Sequence, residues 1–105
     1  MRLTPLWAAI GLCLASAANA NPQDAAKLYQ RALAATCANC HGTDGRAVDG
    51  SAIPSLAGMP RDYQIAQMKA FRDGTRPATV MHQLTKGLTE QQIESVATYF
   101  ASLKR

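Results

Sequence analysis

Cys37-Ala38-Asn39-Cys40-His41 is the stretch on which the reading of this 105-residue chain turns. Residues three apart in a helical turn lie on one face, so the thiols of Cys37 and Cys40 can reach two neighbouring points on one flat partner. His41, next in the chain, is then carried beneath the centre of that partner with an imidazole nitrogen free to coordinate. Cys-x-x-Cys-His is the attachment signal for a c-type haem. The spacing has that physical meaning: two thioether links to the vinyl groups and one axial ligand to the iron.

The ends of the chain set the context. Met1-Arg2 is a short basic start, Leu6 to Ala15 is apolar, and Ala18-Asn19-Ala20 is a small-residue cleavage site. This is the pattern of a secretory signal peptide. Its apolar core is about a dozen residues, short of the roughly 20 that span a bilayer, and no second such segment follows. The large Leu12 before Cys13 argues against a lipoprotein. The expected organisation is a leader, residues 1–20, cleaved after Ala20, and one domain, residues 21–105, exported to the periplasm.

Cleavage leaves 85 residues and removes Cys13, so both remaining thiols belong to the motif and no disulfide framework is available. So small a domain has a poor ratio of core to surface and needs a staple. One covalent haem supplies an apolar body for that core. Loss of Arg2 lowers the formal charge from +4 to +3. Such mild basicity lacks the clustered stripe expected of a nucleic-acid binder and suits transient docking to an acidic redox partner. Lys69, Arg72, Arg76 and Lys86 are the candidate steering charges, with an ordinary solvated basic face as the alternative.

The domain reads as all-α, three main helices around the cofactor. Asn21-Pro22-Gln23-Asp24 opens the first. Ala25, Leu28, Ala32 and Ala35 recur at helical spacing as its apolar stripe, and the helix is expected to run into Cys37. Residues 42–60 are loop, rich in Gly and Pro. Within them, Pro54 is the candidate to present the carbonyl that orients the haem-ligating imidazole, with Leu56 packing on the ring. Pro60-Arg61-Asp62 opens a second helix that ends at Gly74, and residues 75–86 are expected to be connecting chain. Thr89 and Gln92 form a capping-box pair, and Leu88 with Ile93 a hydrophobic staple, at the head of the last helix.

A stable electron carrier needs a sixth iron ligand, and four side chains qualify. Met68 falls on a helical stripe and suits core filling. Met59 is only eighteen residues from His41. Met81 stands in the expected loop forty residues on, free to approach from the far face, with His82 beside it as competitor. Met/His ligation raises the reduction potential.

The order Cys37-Ala38-Asn39-Cys40-His41-Gly42, then Pro54-Ser55-Leu56-Ala57-Gly58, then Met81, then Val96-Ala97-Thr98-Tyr99-Phe100 resembles a class I cytochrome c over essentially the whole domain. The resemblance implies that fold, one covalent haem c on Cys37 and Cys40, His41 and Met81 as axial ligands, and Pro54 as the carbonyl partner of His41. It also implies that the first and last helices cross near Tyr99. The chain departs from the family pattern in having Tyr29 and Leu33 where a Gly and an aromatic are usual, so alanines must permit the close approach.

A narrower similarity is to the haem subunit of flavocytochrome c sulfide dehydrogenase. It is carried by Phe71-Arg72-Asp73-Gly74, Ala78-Thr79-Val80-Met81 and Lys86-Gly87-Leu88-Thr89. It implies an FAD-containing, sulfide-oxidising partner that passes electrons singly to this haem. The dihaem form of that subunit carries a second Cys-x-x-Cys-His, which this chain lacks.

The expected function is thus electron transfer, not catalysis, with a free shuttle to a terminal oxidase or other reductase as the alternative. A haem enzyme or gas sensor would need an open sixth position with His82 as its polar group. A dithiol pair would want strands, and a zinc site a second Cys/His cluster. Asp44 and Asp49 read as turn residues.

Overall fold

A computed structural model describes Asn19 and residues 21–105. The expected leader and its cleavage site otherwise lie outside the described residues. Among the described residues, five α-helices and one 3₁₀ turn follow in order: α1 Pro22–Ala35, α2 Ala38–His41, the turn Thr43–Gly45, α3 Arg61–Asp73, α4 Met81–Lys86 and α5 Glu90–Ser102. No strand occurs among the described residues, and the all-α expectation holds.

The helix ends follow local chemistry. Asn21 caps α1, its side-chain oxygen accepting the Gln23 N–H at 3.0 Å, with Pro22 in the first turn where no N–H is needed. At the head of α5, the Thr89 hydroxyl accepts from Gln92 N at 3.1 Å and the Gln92 side chain accepts from Thr89 N at 2.9 Å. Both arms of the capping box are therefore made. Gly74 closes α3 as expected.

Two boundaries differ from expectation. α1 stops at Ala35 and does not run through to Cys37. Thr36 turns its hydroxyl back onto the Leu33 carbonyl at 2.7 Å, and the haem motif winds into its own short helix, α2. Residues 81–86, expected as connecting chain, form α4. The β-branched Thr79 and Val80 before it and the absence of a side-chain cap hid that start. Thr85 stabilises the turn from inside, fully buried and donating to the Met81 carbonyl at 2.8 Å.

The core lies where α1 crosses α5. Ala34, Val96 and Phe100 form its centre, with Leu33, Cys37, Leu56, Met68, Tyr99 and Leu103 packed around them. This overturns the expected apolar stripe of α1. Ala25, Leu28, Ala32 and Ala35 all face outward, Leu28 with 69% of its surface exposed. The inward face is Gln30, Leu33, Ala34 and Cys37, the set that recurs at helical spacing when counted back from the cysteine. Small Ala34 permits the close approach. Gln30 donates to the Ser95 carbonyl at 3.0 Å and Gln92 to the Tyr29 hydroxyl at 3.0 Å, which stitches the crossing at its rim. Tyr29 thus adds a hydrogen bond at the edge, where a bulky ring is tolerated.

α3 lies along α5 and is tied to it by charge. Arg61 reaches Glu94 at 3.5 Å and the Thr98 hydroxyl at 3.0 Å, while Lys69 and Arg72 converge on Glu90, Lys69 at 2.7 Å. These pairs are solvent-exposed, so water and salt screen them. They fix orientation more than stability.

Candidate haem site

α2 and the segment after it build one side of the site. His41 is buried, and its Nδ1 lies 2.6 Å from the Pro54 carbonyl oxygen. A carbonyl can only accept, so Nδ1 carries the proton and Nε2 is left with its lone pair for a metal. This hydrogen bond fixes the tautomer and ring plane and raises the basicity of the ligating nitrogen. Cys37 is half-buried and Cys40 exposed, both as free thiols. Burial pushes the Cys37 thiol up from its ordinary range, opposed by its hydrogen bond with Thr36 and reinforced by the neighbouring Cys40.

The chain must reverse just after His41, and Gly42 makes this possible. Its φ is +85° with ψ 163°, and a Cβ there would sit 1.9 Å from the Arg46 carbonyl oxygen. The Gly45 carbonyl then accepts from Leu56 N at 2.7 Å and Ala57 N at 3.1 Å, hanging the segment that carries Pro54 on the turn that follows His41. Leu56 packs into the Ala34–Val96–Phe100 cluster.

The four candidate sixth ligands are separated by the fold. Met68 is packed against the core cluster. Met59 lines a cavity of about 490 Å³ with Arg46, Ser55, Ala57 and Arg105. Met81 opens α4 and is half-buried. His82 lines a second cavity of about 420 Å³ with Phe71, Arg72, Arg76 and Lys86, and its Nδ1 is buried without a hydrogen-bond partner.

Of the four steering candidates, Lys69 and Arg72 are taken up by Glu90. Arg76 lies over the Phe71 ring, 4.6 Å from its centroid, and donates to Gln67. Lys86 makes no ion pair among the described residues. The basic face thus narrows to Arg76 and Lys86, both on the cavity beside α4.

These residues fit a covalent haem. Two free thiols and a buried imidazole with one nitrogen already engaged are the donor set it requires. Val48, Ile53, Tyr63, Val80 and Leu84 are large apolar side chains left open to solvent, surface that an apolar macrocycle can cover. One link was not anticipated from the sequence: the Tyr99 hydroxyl donates to Asp44 at 2.7 Å. Its only sequence trace is an aspartate in the Gly42-Thr43-Asp44-Gly45 turn.

An all-α domain with a carbonyl-oriented histidine directly after a paired-thiol turn defines a c-type haem protein. Residues 22–104 match the family model described as cytochrome c. The chain belongs to that family, as a class I cytochrome c that carries covalently bound haem c and transfers electrons.

Among curated relatives, it is 40% identical over 73 residues to the cytochrome subunit of sulfide dehydrogenase from Chlorobaculum tepidum, covering 70% of this chain and 64% of that one. It is 39% identical over 71 residues to a thiosulfate dehydrogenase electron acceptor from Thiomonas intermedia, covering 68% and 33%. The chain thus spans under two thirds of the first of these and about a third of the second. A solved structure of Acidithiobacillus ferrooxidans cytochrome c4 superposes with a TM-score of 0.66 at 35% identity, over 74% of this chain and 49% of that one.

Proposed function

We propose that this protein is a periplasmic carrier of single electrons, attached to haem through Cys37 and Cys40, with His41 and Met81 as axial ligands and Pro54 as the orienting carbonyl. When bound, the haem iron supplies a one-electron ferric/ferrous couple. The observation that carries the reading is the 2.6 Å His41–Pro54 hydrogen bond inside a cytochrome c domain. It prepares Nε2 as a permanent donor. Met81, at the first turn of α4, offers a thioether from a helix that Thr85 anchors in the interior. With His41 and Met81 both engaged, these residues would leave no iron position open to a substrate.

Far-red absorption of the oxidised protein tests the ligand set. A sulfur-to-iron charge-transfer band is expected in the native protein and its loss in Met81→Ala. Retention of the band in that variant would remove Met81 from the iron and make Met59 or Met68 the sulfur donor, whereas its absence from the native protein would point to His82.

The partner is proposed to be an FAD-containing, sulfide-oxidising protein. Support comes from the likeness to the C. tepidum subunit over 70% of the chain. The similarity to a protein named a thiosulfate dehydrogenase electron acceptor favours a second reading, that of a free acceptor shuttle for sulfur-compound oxidation. Arg76 and Lys86, left unneutralised beside α4, are the charges that would meet an acidic partner surface. Copurification with a flavoprotein, and reduction of this haem when sulfide is added to the pair, supports the first reading. No reduction by the purified cognate flavoprotein rejects it. Export is read from residues 1–20, and amino-terminal sequencing of the secreted protein should begin at Asn21.

A further inference from the structure

We propose that Tyr99 is a positioning residue for His41: its hydroxyl, through Asp44 and the Gly45 carbonyl, holds the two stretches of chain that set the His41–Pro54 hydrogen bond. The inference rests on His41 as an iron ligand and deepens that reading by assigning what holds the ligand's orientation.

Three observations converge on the link. Tyr99, half-buried on α5, donates to Asp44 Oδ1 at 2.7 Å across fifty-five residues of sequence. Asp44 is the one non-glycine residue with positive φ among those described, at +53°. Aspartate is among the few non-glycine residues that enter this region, where contacts of its short side chain help to hold it. Here those contacts are Tyr99 and, more loosely, the Arg46 guanidinium at 4.0 Å. The next residue, Gly45, supplies the carbonyl on which Leu56 and Ala57 hang.

α5 also grips the far end of that second stretch, because Gly58 N donates to the Phe100 carbonyl at 2.8 Å. Tyr99 and Phe100 are adjacent on α5, so one helical turn clamps both the turn after His41 and the segment containing Pro54. The donor and the acceptor of the His41–Pro54 bond are each two to four residues from this clamp. Release of Asp44 lets the Thr43–Gly45 turn relax and carries the Leu56 anchor with it, which moves the Pro54 carbonyl relative to Nδ1.

The link is built to last across neutral pH. The Asp44 carboxylate first, and burial second, push the Tyr99 hydroxyl up from the ordinary phenol range; Arg31 on α1 pulls the other way. The hydroxyl therefore remains a donor. A looser Nδ1–H···O bond makes the imidazole a weaker electron donor to iron, which favours the ferrous form. Release of the link should thus move the midpoint potential upward.

The test compares haem-loaded wild type with Tyr99→Phe, Asp44→Ala and Asp44→Asn. Asn tolerates positive φ and keeps an acceptor oxygen. Two readouts are taken: midpoint potential, and solvent exchange of the His41 Nδ1–H by NMR in the diamagnetic ferrous state. Tyr99→Phe and Asp44→Ala should raise the potential and speed exchange at least tenfold, and Asp44→Asn should restore both to near wild type.

Unchanged potential and exchange in Tyr99→Phe, or an Asp44→Asn variant as perturbed as Asp44→Ala, overturns the proposal. If Tyr99→Phe does not fold, the two Asp44 variants decide it. Wild type without a histidine ring proton protected at Nδ1 would instead mark failure of the His41 ligand reading itself.

Discussion

Gly42 offers the sharpest quantitative check on how the haem motif is terminated. An alanine there places Cβ 1.9 Å from the Arg46 carbonyl oxygen, where real Cβ atoms keep about 3.0 Å or more, so the turn must open by roughly 1 Å. Opening it breaks the Gly45 N to Gly42 O hydrogen bond, 2.9 Å, and the Arg46 N to Thr43 O bond, 3.1 Å. Each is worth about 1 kcal/mol. The φ of +85° with extended ψ adds strain of ~1–3 kcal/mol for any residue with a Cβ.

The sum is about 4 kcal/mol, a large part of the roughly 5–15 kcal/mol that holds a small domain together. Gly50 is the control. Its φ is +79°, nearly the same, yet nothing lies within 4 Å of its Cβ position. Gly50→Ala should therefore lose only the backbone term, ~1–2 kcal/mol. Guanidinium unfolding of the haem-loaded proteins, followed by helical circular dichroism, measures both. Equal losses in the two variants would refute the reasoning, because the carbonyl contact would then contribute nothing. Accumulation of haem-loaded Gly50→Ala but not Gly42→Ala would bear it out.

Phe100 is 1% exposed at the centre of the α1–α5 crossing, so Phe100→Ala should cost about 3–5 kcal/mol in the same unfolding assay; a loss under about 1 kcal/mol would place the core elsewhere. Lys69 and Arg72 hold the Glu90 carboxyl below the usual carboxylate range. A depressed carboxylate stabilises the fold above its unfolded pKa, and that contribution is lost as pH falls through the folded value. The stability difference between wild type and Glu90→Gln should therefore start to shrink as pH falls below the unfolded carboxylate value, about 4.3, vanish only below the lower folded value, and shrink at high salt. A difference that persists unchanged at pH 3 would show that the ion pairs are not its source.

What the sequence disclosed, and what it withheld, divides by the range of the interaction that decides each feature. The Thr89–Gln92 capping box involves two side chains three residues apart, and both of its hydrogen bonds are made. Local chemistry suffices there. The inward face of α1 does not follow from composition, because Ala25, Leu28, Ala32 and Ala35 are as apolar as Leu33 and Ala34. What selects the face is the requirement that Cys37 point inward while Gln30 reaches Ser95, sixty-five residues away. Counting back from the cysteine would have found the true face, because the chemistry of the motif constrains the helix more tightly than its hydrophobicity does.

α4 was missed for the opposite reason. Its six residues carry too little periodicity to register, and its support, the buried Thr85 hydroxyl on the Met81 carbonyl, is a polar contact that hydrophobic spacing does not report. Asp44 is the instructive case. The run Gly42-Thr43-Asp44-Gly45 marks it as a turn residue, yet its neighbours in sequence do not show what its side chain is for in a left-handed conformation that glycine would take freely. The reason is Tyr99, fifty-five residues on. An L-residue in a conformation suited to glycine, beside a motif that must hold its geometry, is a sign that its side chain is wanted by a distant partner.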